Sequence, residues 1–155
     1  MLRPFANTTL VELAVKRLGK VKNFDGVYFG ANEDELLEVA RSGLPSSSIR
    51  IRTKEMANTD DMMLSYSWLR DIDFDYCMWI NSCHGHLKAE TLDQAAEAFR
   101  GGQYKSMTSA TKRYTWYYNQ DGEPVNNKDP LTQVTSQQSE FLYEVANAFH
   151  VFQKE

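Results

Sequence analysis

The sequence predicts a three-layer α/β/α domain with a mostly parallel sheet. Up to about residue 111, segments with helical apolar spacing alternate with short apolar segments typical of strands, which favours parallel strands covered by helices on both faces. The run Tyr76–Ile80 is apolar throughout, as is typical of a central strand. With 155 residues, 42% hydrophobic and 25% charged, the chain is predicted to form one globular domain over residues 1–155.

The first half of the chain carries local start signals for its helices. Thr9 and Glu12 have the spacing of a capping box, which predicts a helix over residues 9–18. Residues 24–29 predict a short buried strand, and Asn32 is placed to cap a second helix.

Three further segments follow in the same pattern. A strand is predicted over residues 49–51, and a third helix is predicted to begin at Thr59 or Asp60. The apolar run Tyr76–Ile80 comes next, followed by a fourth helix over residues 90–99.

The last third of the chain is more β-like. Strands are predicted over residues 106–111 and 141–152. Between them, the turn-forming residues 119–122 follow a run of aromatic side chains. This pattern predicts a β-hairpin arm over roughly residues 112–142.

Charge and composition limit the function classes. The net charge of −4 argues against nucleic acid or an anionic membrane as the main partner, because both require clustered Lys and Arg. No apolar run approaches the roughly 20 residues of a membrane span, and no signal peptide is recognisable at the start. Cys77 and Cys83 are interpreted as free thiols. Together these features predict a cytoplasmic protein.

The main candidate site is the polar stretch after the apolar run Tyr76–Ile80. Residues 81–88 are mostly small or polar and include two of the three histidines. In open α/β sheets, ligands bind at the carboxyl ends of the strands, so a substrate loop is one interpretation. A solvent-exposed connection with chance histidines is the other, and position alone does not separate them.

Metal and thiol chemistry are weaker interpretations of this stretch. Cys83, His84 and His86 are zinc-ligand types, but three of them within four residues do not match the usual paired spacings. Cys83 with His84 as nucleophile and base is no better, because adjacent residues on an extended chain point to opposite sides. We therefore assign no metal ligand and no catalytic residue.

Two other groups of residues could carry chemistry. Asp71, Asp73 and Asp75 could bind a cation, but they precede a central strand and so should lie at its amino end. An aromatic group beside two basic residues could stack on single-stranded nucleic acid, although an arm that packs on another subunit explains it better. Its members are Lys112, Arg113, Tyr114, Trp116, Tyr117 and Tyr118. His150, among apolar neighbours, is interpreted as structural.

Several segments in order resemble one enzyme family. Residues 81–92 (NSCHGHLKAETL) are similar to a loop written N-P-C-x-P-F-L-K-P-E-T-I, and residues 143–152 (YEVANAFHVF) are similar to Y-x-x-N-x-A-F-Y-I-F. Residues 2–12, 24–36 and 53–60 match less closely. The chain resembles the sugar-acid cytidylyltransferases, such as the CMP-sialic acid and CMP-deoxyoctulosonate synthetases.

This resemblance implies a fold, a reaction and a site. The fold is the Rossmann-like one of the nucleotide-diphospho-sugar transferases, the substrates are CTP and a sugar acid, and the product is a CMP-sugar with release of pyrophosphate. The family is homodimeric and uses Mg²⁺. It implies a nucleotide- and sugar-binding role for Asn81, Ser82, Cys83, His84, Lys88 and Arg113.

The sequence also departs from the family pattern. Ser82, Gly85 and Ala89 stand where the family has prolines. The family's opening strand with its phosphate-binding loop, and its closing carboxylate pair for Mg²⁺, have no counterpart in residues 1–155. We therefore expect negligible catalysis from this chain alone, as a fragment or degenerate member, and unpaired neighbours where the opening strand belongs.

Two other interpretations stay open at this point. The chain could be a non-catalytic module of the same fold that binds a nucleotide or a partner. It could also belong to a nucleotidyltransferase that uses another base or acceptor.

Overall fold

The computed structural model describes residues 1–127 and 135–154. Within them the chain forms seven strands and five α-helices. The strands are β1 (Pro4–Phe5), β2 (Thr8–Thr9), β3 (Phe29–Ala31), β4 (Ile49–Ile51), β5 (Tyr76–Ile80), β6 (Ser106–Arg113) and β7 (Leu142–Gln153). The helices are α1 (Leu10–Leu18), α2 (Asp34–Gly43), α3 (Lys54–Asn58), α4 (Met62–Ser65) and α5 (Ala89–Gly101). Short 3₁₀ segments lie at Ser46–Ser48, Ser67–Asp71 and Ser136–Gln138.

The predicted α/β class is confirmed, but strand pairing is more mixed than expected. β3 and β4 pair in parallel, whereas β7 lies between β5 and β6 and is antiparallel to both. β5 and β6 therefore run in the same direction without touching. The departure from parallel pairing in this sheet comes from β7, which inserts in the opposite direction between the two strands that α5 connects.

Helical segments cover both faces of the sheet beside β5. Met78 and Ile80 pack on the apolar cluster that contains Leu92 of α5. Cys77 and Trp79 point the other way and pack on the cluster around Trp68. This alternation follows from the two-residue period of a strand, and it produces the predicted three layers.

A separate apolar cluster joins α1 and α2 to the β3–β4 pair. Val11 and Ala40 are fully buried in it, and Phe29 and Ile49 pack against them from the two strands. The β3–β4 unit therefore has its own core, distinct from the one beneath β5 and β7.

The predicted start of α1 is confirmed at atomic level. The Thr9 hydroxyl accepts the N–H of Glu12 at 3.3 Å, and the Glu12 carboxylate accepts the N–H of Thr9 at 2.8 Å. Thr8 adds a hydroxyl bond to the same carboxylate. These bonds, that of Thr8 foremost, lower the pKa of Glu12.

Two predicted elements lie elsewhere in the structure. The strand expected over residues 24–29 begins only at Phe29, because the Asp93 carboxylate accepts the N–H groups of Lys22 and Asn23 and draws the preceding chain toward α5. The third helix, expected from Thr59 or Asp60, is replaced by the short helices α3 and α4 and the 3₁₀ turn that follows them.

That break also has a local cause. Asp61 caps α4 by accepting the N–H of Met63 at 2.8 Å, and Arg52 donates to carbonyls of both short helices, those of Met56 and Ser65. Separate caps and a shared guanidinium therefore stabilise two short helices in place of one continuous helix.

The hairpin of the predicted arm is present. Asn119 N–H donates to Glu123 O at 2.8 Å, and Val125 N–H donates to Tyr117 O at 2.8 Å, with Gly122 at φ +80° in the turn. Residues 128–134 of the predicted arm lie outside the described residues. Among the described residues, no helix is long and apolar enough to cross a membrane.

Candidate functional site

The polar stretch singled out from the sequence forms the connection between β5 and α5. We call residues 81–88 the 81–88 loop. Its first residue stays attached to the sheet, because Asn81 N–H donates to Ala148 O at 2.9 Å. The loop therefore follows directly from the carboxyl end of β5, where the sequence predicted it.

Hydrogen bonds within the loop define its shape. The Asn81 side-chain oxygen accepts the N–H of Cys83 at 3.0 Å, an Asx turn. Gly85 N–H donates to Cys83 O and Leu87 N–H donates to His84 O, both at 3.1 Å. These bonds give the loop a defined shape, although it lacks the prolines that the sugar-acid cytidylyltransferases have there. No hydrogen bond among the described residues uses the Asn81 side-chain nitrogen, so that N–H₂ group is available to a ligand.

A buried arginine of α1 binds the backbone of the 81–88 loop. Arg17 of α1 is 5% exposed, and its Nη1 donates to the carbonyls of His84 at 2.6 Å and Leu87 at 3.0 Å. Burial lowers the pKa of its guanidinium, because a charged group loses its hydration there. These two bonds tie the loop to the neighbouring helix.

Sequence reasoning missed Arg17, although a signal was present. Its position is three residues after Ala14 and four after Leu13, so it lies on the apolar stripe of α1. A charged residue on such a stripe is seldom buried without a specific partner. Here the partners are loop carbonyls about 70 residues away, which no local pattern identifies.

The underside of the loop rests on apolar side chains. A Cβ at Gly85 would meet Leu10 Cδ2 at 3.1 Å and Phe5 Cε1 at 3.3 Å, so a glycine permits this close approach. Phe5 also makes an edge-on contact with His86, with ring centroids 6.0 Å apart. The loop therefore has a packed side and a side that faces out.

The structure brings five of the six predicted binding residues together. Asn81, Ser82 and His84 are half-buried, and Cys83 and Lys88 are exposed. Met1 lies beside them, with its sulfur 3.9 Å from both Ser82 Oγ and Cys83 Sγ. Cys83 and Cys77 are both free thiols.

The sixth residue, Arg113, lies apart from the loop. It pairs with Leu142 at one end of β7, whereas Ile80, the last residue before the loop, pairs with Phe149. Its guanidinium forms an ion pair with Glu144, and this hydrogen bond raises the pKa of Arg113. Arg113 therefore takes part in the arm end of the β6–β7 ladder.

The described residues do not fit a magnesium site. No group of three or more His, Cys, Asp and Glu side chains converges within residues 1–127 and 135–154. Asp75 precedes β5, and its carbonyl accepts the N–H of Lys154 at 2.9 Å. His150 lies in β7 and shares a hydrogen bond of 2.7 Å with the Thr108 hydroxyl. We accordingly derive no step through a metal from this chain.

Comparisons with known proteins identify the fold. No protein-family model and no curated protein matches the chain. Among solved structures, CMP:2-keto-3-deoxy-manno-octonic acid synthetase complexed with CTP is similar at a TM-score of 0.67 and 7% identity, over 98% of this chain and 66% of that one. 4-Diphosphocytidyl-2C-methyl-D-erythritol synthase from Anaerococcus prevotii is similar at 0.65 and 12% identity, over 98% of this chain and 64% of that one.

These likenesses establish the architecture. The chain has a nucleotide-diphospho-sugar transferase-like fold, as the resemblance of its motifs implied. It spans just under two thirds of the length of the two structures.

Proposed function

We propose that this chain is the central part of a cytidylyltransferase and that its 81–88 loop contacts a cytidine nucleotide. The full reaction would join CTP to a sugar acid and release pyrophosphate. Two similar structures, one of them a CTP complex and the other a diphosphocytidyl synthase by name, support the nucleotide. The motifs of residues 81–92 and 143–152 support the sugar acid.

The observation that carries this proposal is the ordered polar loop at the end of β5. It carries the Asn81 amide, the Ser82 hydroxyl, the His84 ring and the Lys88 ammonium, none of them buried, and these groups can bond to a base, a ribose or a phosphate. Arg17 holds its backbone from the other side. A loop held in this way can bind without first being ordered, which lowers the entropic cost of binding.

Turnover would require more than the described residues supply. The segments to which the resemblance assigns phosphate and Mg²⁺ binding have no counterpart in residues 1–155. In nucleotidyl transfer these groups neutralise the charge on the phosphates. We therefore propose binding by this chain, and turnover only when those segments are supplied.

A nucleotide titration tests the proposal. CTP, UTP and GTP would be added separately while binding is followed by calorimetry, and we expect CTP to bind most tightly. Asn81→Ser keeps an oxygen for the turn with Cys83 but removes the amide donor, so CTP affinity should fall about tenfold, the loss expected for one hydrogen bond.

A matched exchange controls for stability. Asn58→Ser makes the same change at the exposed end of α3 and should leave CTP affinity unchanged. Equal affinity for the three nucleotides would refute the cytidylyl assignment, and tighter binding of UTP or GTP would favour a nucleotidyltransferase for another base. If Asn81→Ser bound CTP as tightly as the wild type, Asn81 would not be a nucleotide-binding residue.

We also propose that the arm joins two copies of the chain. Apolar side chains are exposed together near the ends of β6 and β7, where Tyr114 contacts Phe141 and Phe141 contacts Tyr143. Lys112 lies over the rings of Tyr114 and Phe141. A partner would remove this apolar surface from water.

Sedimentation at micromolar concentration tests this dimer. Tyr143→Ser should raise the dimer dissociation constant at least tenfold, since Tyr143 is 68% exposed within the patch. Tyr104→Ser, which alters another exposed tyrosine outside the arm, should not change it. A wild-type chain that sediments only as a monomer would refute the proposal.

A further inference from the structure

β7 contains a bulge opposite a single residue of β6. The register of the β6–β7 ladder shifts between Thr108 and Ala110. Ser109 lies there opposite residues 146–149 of β7, and its hydroxyl accepts two backbone N–H groups of that stretch, at 2.9 and 3.1 Å. A side chain therefore replaces the backbone partners that the ladder lacks at this bulge.

One residue of the bulge has a backbone conformation that favours glycine. Asn147 has φ +53°, and among the described residues other than glycine only Ala6, at φ +55°, is also positive. Ala6 lies in the short connection between β1 and β2, where tight turns favour positive φ. Asn147 instead lies inside a strand. Strained backbone of this kind clusters at binding and catalytic sites, which makes position 147 a candidate for one.

The bulge adjoins the 81–88 loop. Asn81 N–H donates to the carbonyl of Ala148, the residue after Asn147, at 2.9 Å. Ala148 also lines a small cavity of about 330 Å³ together with residues 83–87 of the loop. Asn147 therefore lies beside the first residue of the loop, at the carboxyl end of β5.

The Asn147 side chain has no partner within the chain. It is exposed, whereas Ala148 and Phe149 after it are buried. Within residues 1–127 and 135–154, no hydrogen bond uses its oxygen or its N–H₂ group, and the side-chain nitrogen of Asn81 is free as well. Two amide groups with unused hydrogen-bonding atoms therefore lie close together at the end of β5.

The chain around these two amides carries no charged side chains. Residues 80–83, 108–110 and 145–149 contain no Lys, Arg, His, Asp or Glu, so a phosphate would find no cation among them, and cations give the strong bonds to phosphate. An amide both donates and accepts hydrogen bonds. Two vicinal hydroxyl groups do the same, so this arrangement favours a diol.

We propose that Asn147 is a specificity-determining residue that binds vicinal hydroxyl groups of the substrate held by the 81–88 loop. This inference rests on the proposed nucleotide site. Such hydroxyl groups occur in the ribose of CTP and in a sugar acid. Asparagine suits the position because it visits positive φ more readily than most residues that have a side chain, and because glycine would bring no amide.

Asn147→Gly tests this role. Glycine adopts positive φ without a steric cost, so the urea midpoint of the variant should be no lower than that of the wild type. Because the amide is lost, CTP affinity measured by calorimetry should fall about tenfold, as expected for one hydrogen bond. With 2′,3′-dideoxy-CTP, which lacks both ribose hydroxyl groups, the variant and the wild type should bind equally.

A second titration covers the other source of the diol. If the hydroxyl groups belong to the sugar acid, Asn147→Gly should leave CTP affinity unchanged. It should then lower about tenfold the affinity of the CTP-saturated protein for 2-keto-3-deoxy-manno-octonic acid. Ala6→Gly is the matched control, since it relieves the other positive φ outside the bulge and should change neither affinity.

Three results would overturn the proposal. Equal losses of affinity for CTP and 2′,3′-dideoxy-CTP would show an effect on the loop rather than on a diol. A lower urea midpoint for Asn147→Gly would make Asn147 a structural part of the bulge. Unchanged affinity in both titrations would remove its role while leaving CTP binding intact, whereas a wild-type chain that binds no CTP would refute the proposed function as well.

Discussion

β7 and β5 are neighbouring strands with different surroundings, although β5 is the more uniformly apolar of the two. β7 has a partner on each edge, and Ala148, Phe149 and Val151 are buried. β5 has a partner on one edge, and none of its five residues is classed as buried. The difference shows that a continuous apolar run identifies a strand suited to the centre of a sheet, while burial depends on whether both neighbours are present.

The same contrast divides the molecule into two halves. The closed half consists of β5, β7 and β6 with α5, and the open half consists of β3 and β4 with α1 and α2. A cavity of about 870 Å³, lined by every residue of β3 and of β5, lies between them. Among the side chains whose hydrogen bonds connect the halves are Arg17, from α1 to the 81–88 loop, and Asp93, from α5 to the chain before β3.

The largest expected effect compares two fully buried leucines. Leu92 of α5 is 0% exposed and Leu37 of α2 is 1% exposed. We expect Leu92→Ala to lower the free energy of unfolding by about 4 kcal/mol and Leu37→Ala by about 2.5 kcal/mol, because the cost depends on how far the surroundings can collapse into the cavity. Leu92 packs in a cluster with the large rings of Phe99 and Phe149, which we expect to collapse less readily into a cavity than the surroundings of α2.

Urea denaturation of the two variants measures this difference. Conservative Leu→Met exchanges at the same positions serve as controls and should cost less than about 1.5 kcal/mol each. If Leu37→Ala cost as much as Leu92→Ala, the open half would be packed as rigidly as the closed half.

Arg17 gives the next largest effect. Arg17→Met keeps the apolar volume of the stem but removes both bonds to the loop carbonyls, so we expect a loss of about 2 kcal/mol in stability. Hydrogen exchange should become faster in residues 84–88 while α2 is unaffected, and CTP affinity should fall with the order of the loop.

Arg17→Lys separates charge from geometry. A lysine keeps the positive charge but not the planar set of donors, so it should restore only part of the loop protection. Unchanged exchange in Arg17→Met would show that the loop holds its shape without this connection.

Asp93 gives the smallest effect, and it depends on pH. The N–H groups of Asn23 and Lys22 lower the pKa of this carboxyl. Its contribution to stability is therefore complete above the unfolded-state pKa, about 3.9, and is lost as the pH falls through the lower folded-state pKa. Since the group is exposed to solvent, we expect a small change.

Urea midpoints between pH 2 and pH 6 provide the measurement. The wild type should lose stability toward acid more steeply than Asp93→Asn, which keeps the acceptor oxygen but does not titrate. Parallel curves for the two proteins would show that Asp93 does not join the halves energetically.

Much of the local structure could be predicted from the sequence. The capping box of Thr9 and Glu12, the strand Tyr76–Ile80 and the loop after it are where the pattern placed them. Each depends on residues within a few positions of one another. The strand expected over residues 24–29 begins later than predicted, because the carboxylate of Asp93, about 70 residues away in the sequence, forms hydrogen bonds with the backbone just before it.

The candidate site shows the same division between local and distant effects. The loop residues from Asn81 to Lys88 were found from composition and position. Arg17 was missed, since its partners are loop carbonyls of no distinctive residue type. Arg113 was grouped with the loop through the resemblance, and the structure places it with Glu144 instead.

By itself, the sequence determined where α1, α5 and the strands β4 to β7 lie and where a polar loop follows β5, because caps, apolar periods and β-branched or aromatic runs act over a few residues. Only the tertiary structure decided that β7 lies antiparallel between β5 and β6, that Arg17 holds the loop and that β3 and β5 leave a groove between them. Strand order and open edges depend on which distant segments of the chain meet, and the free energy of each such contact depends on the residues of both segments.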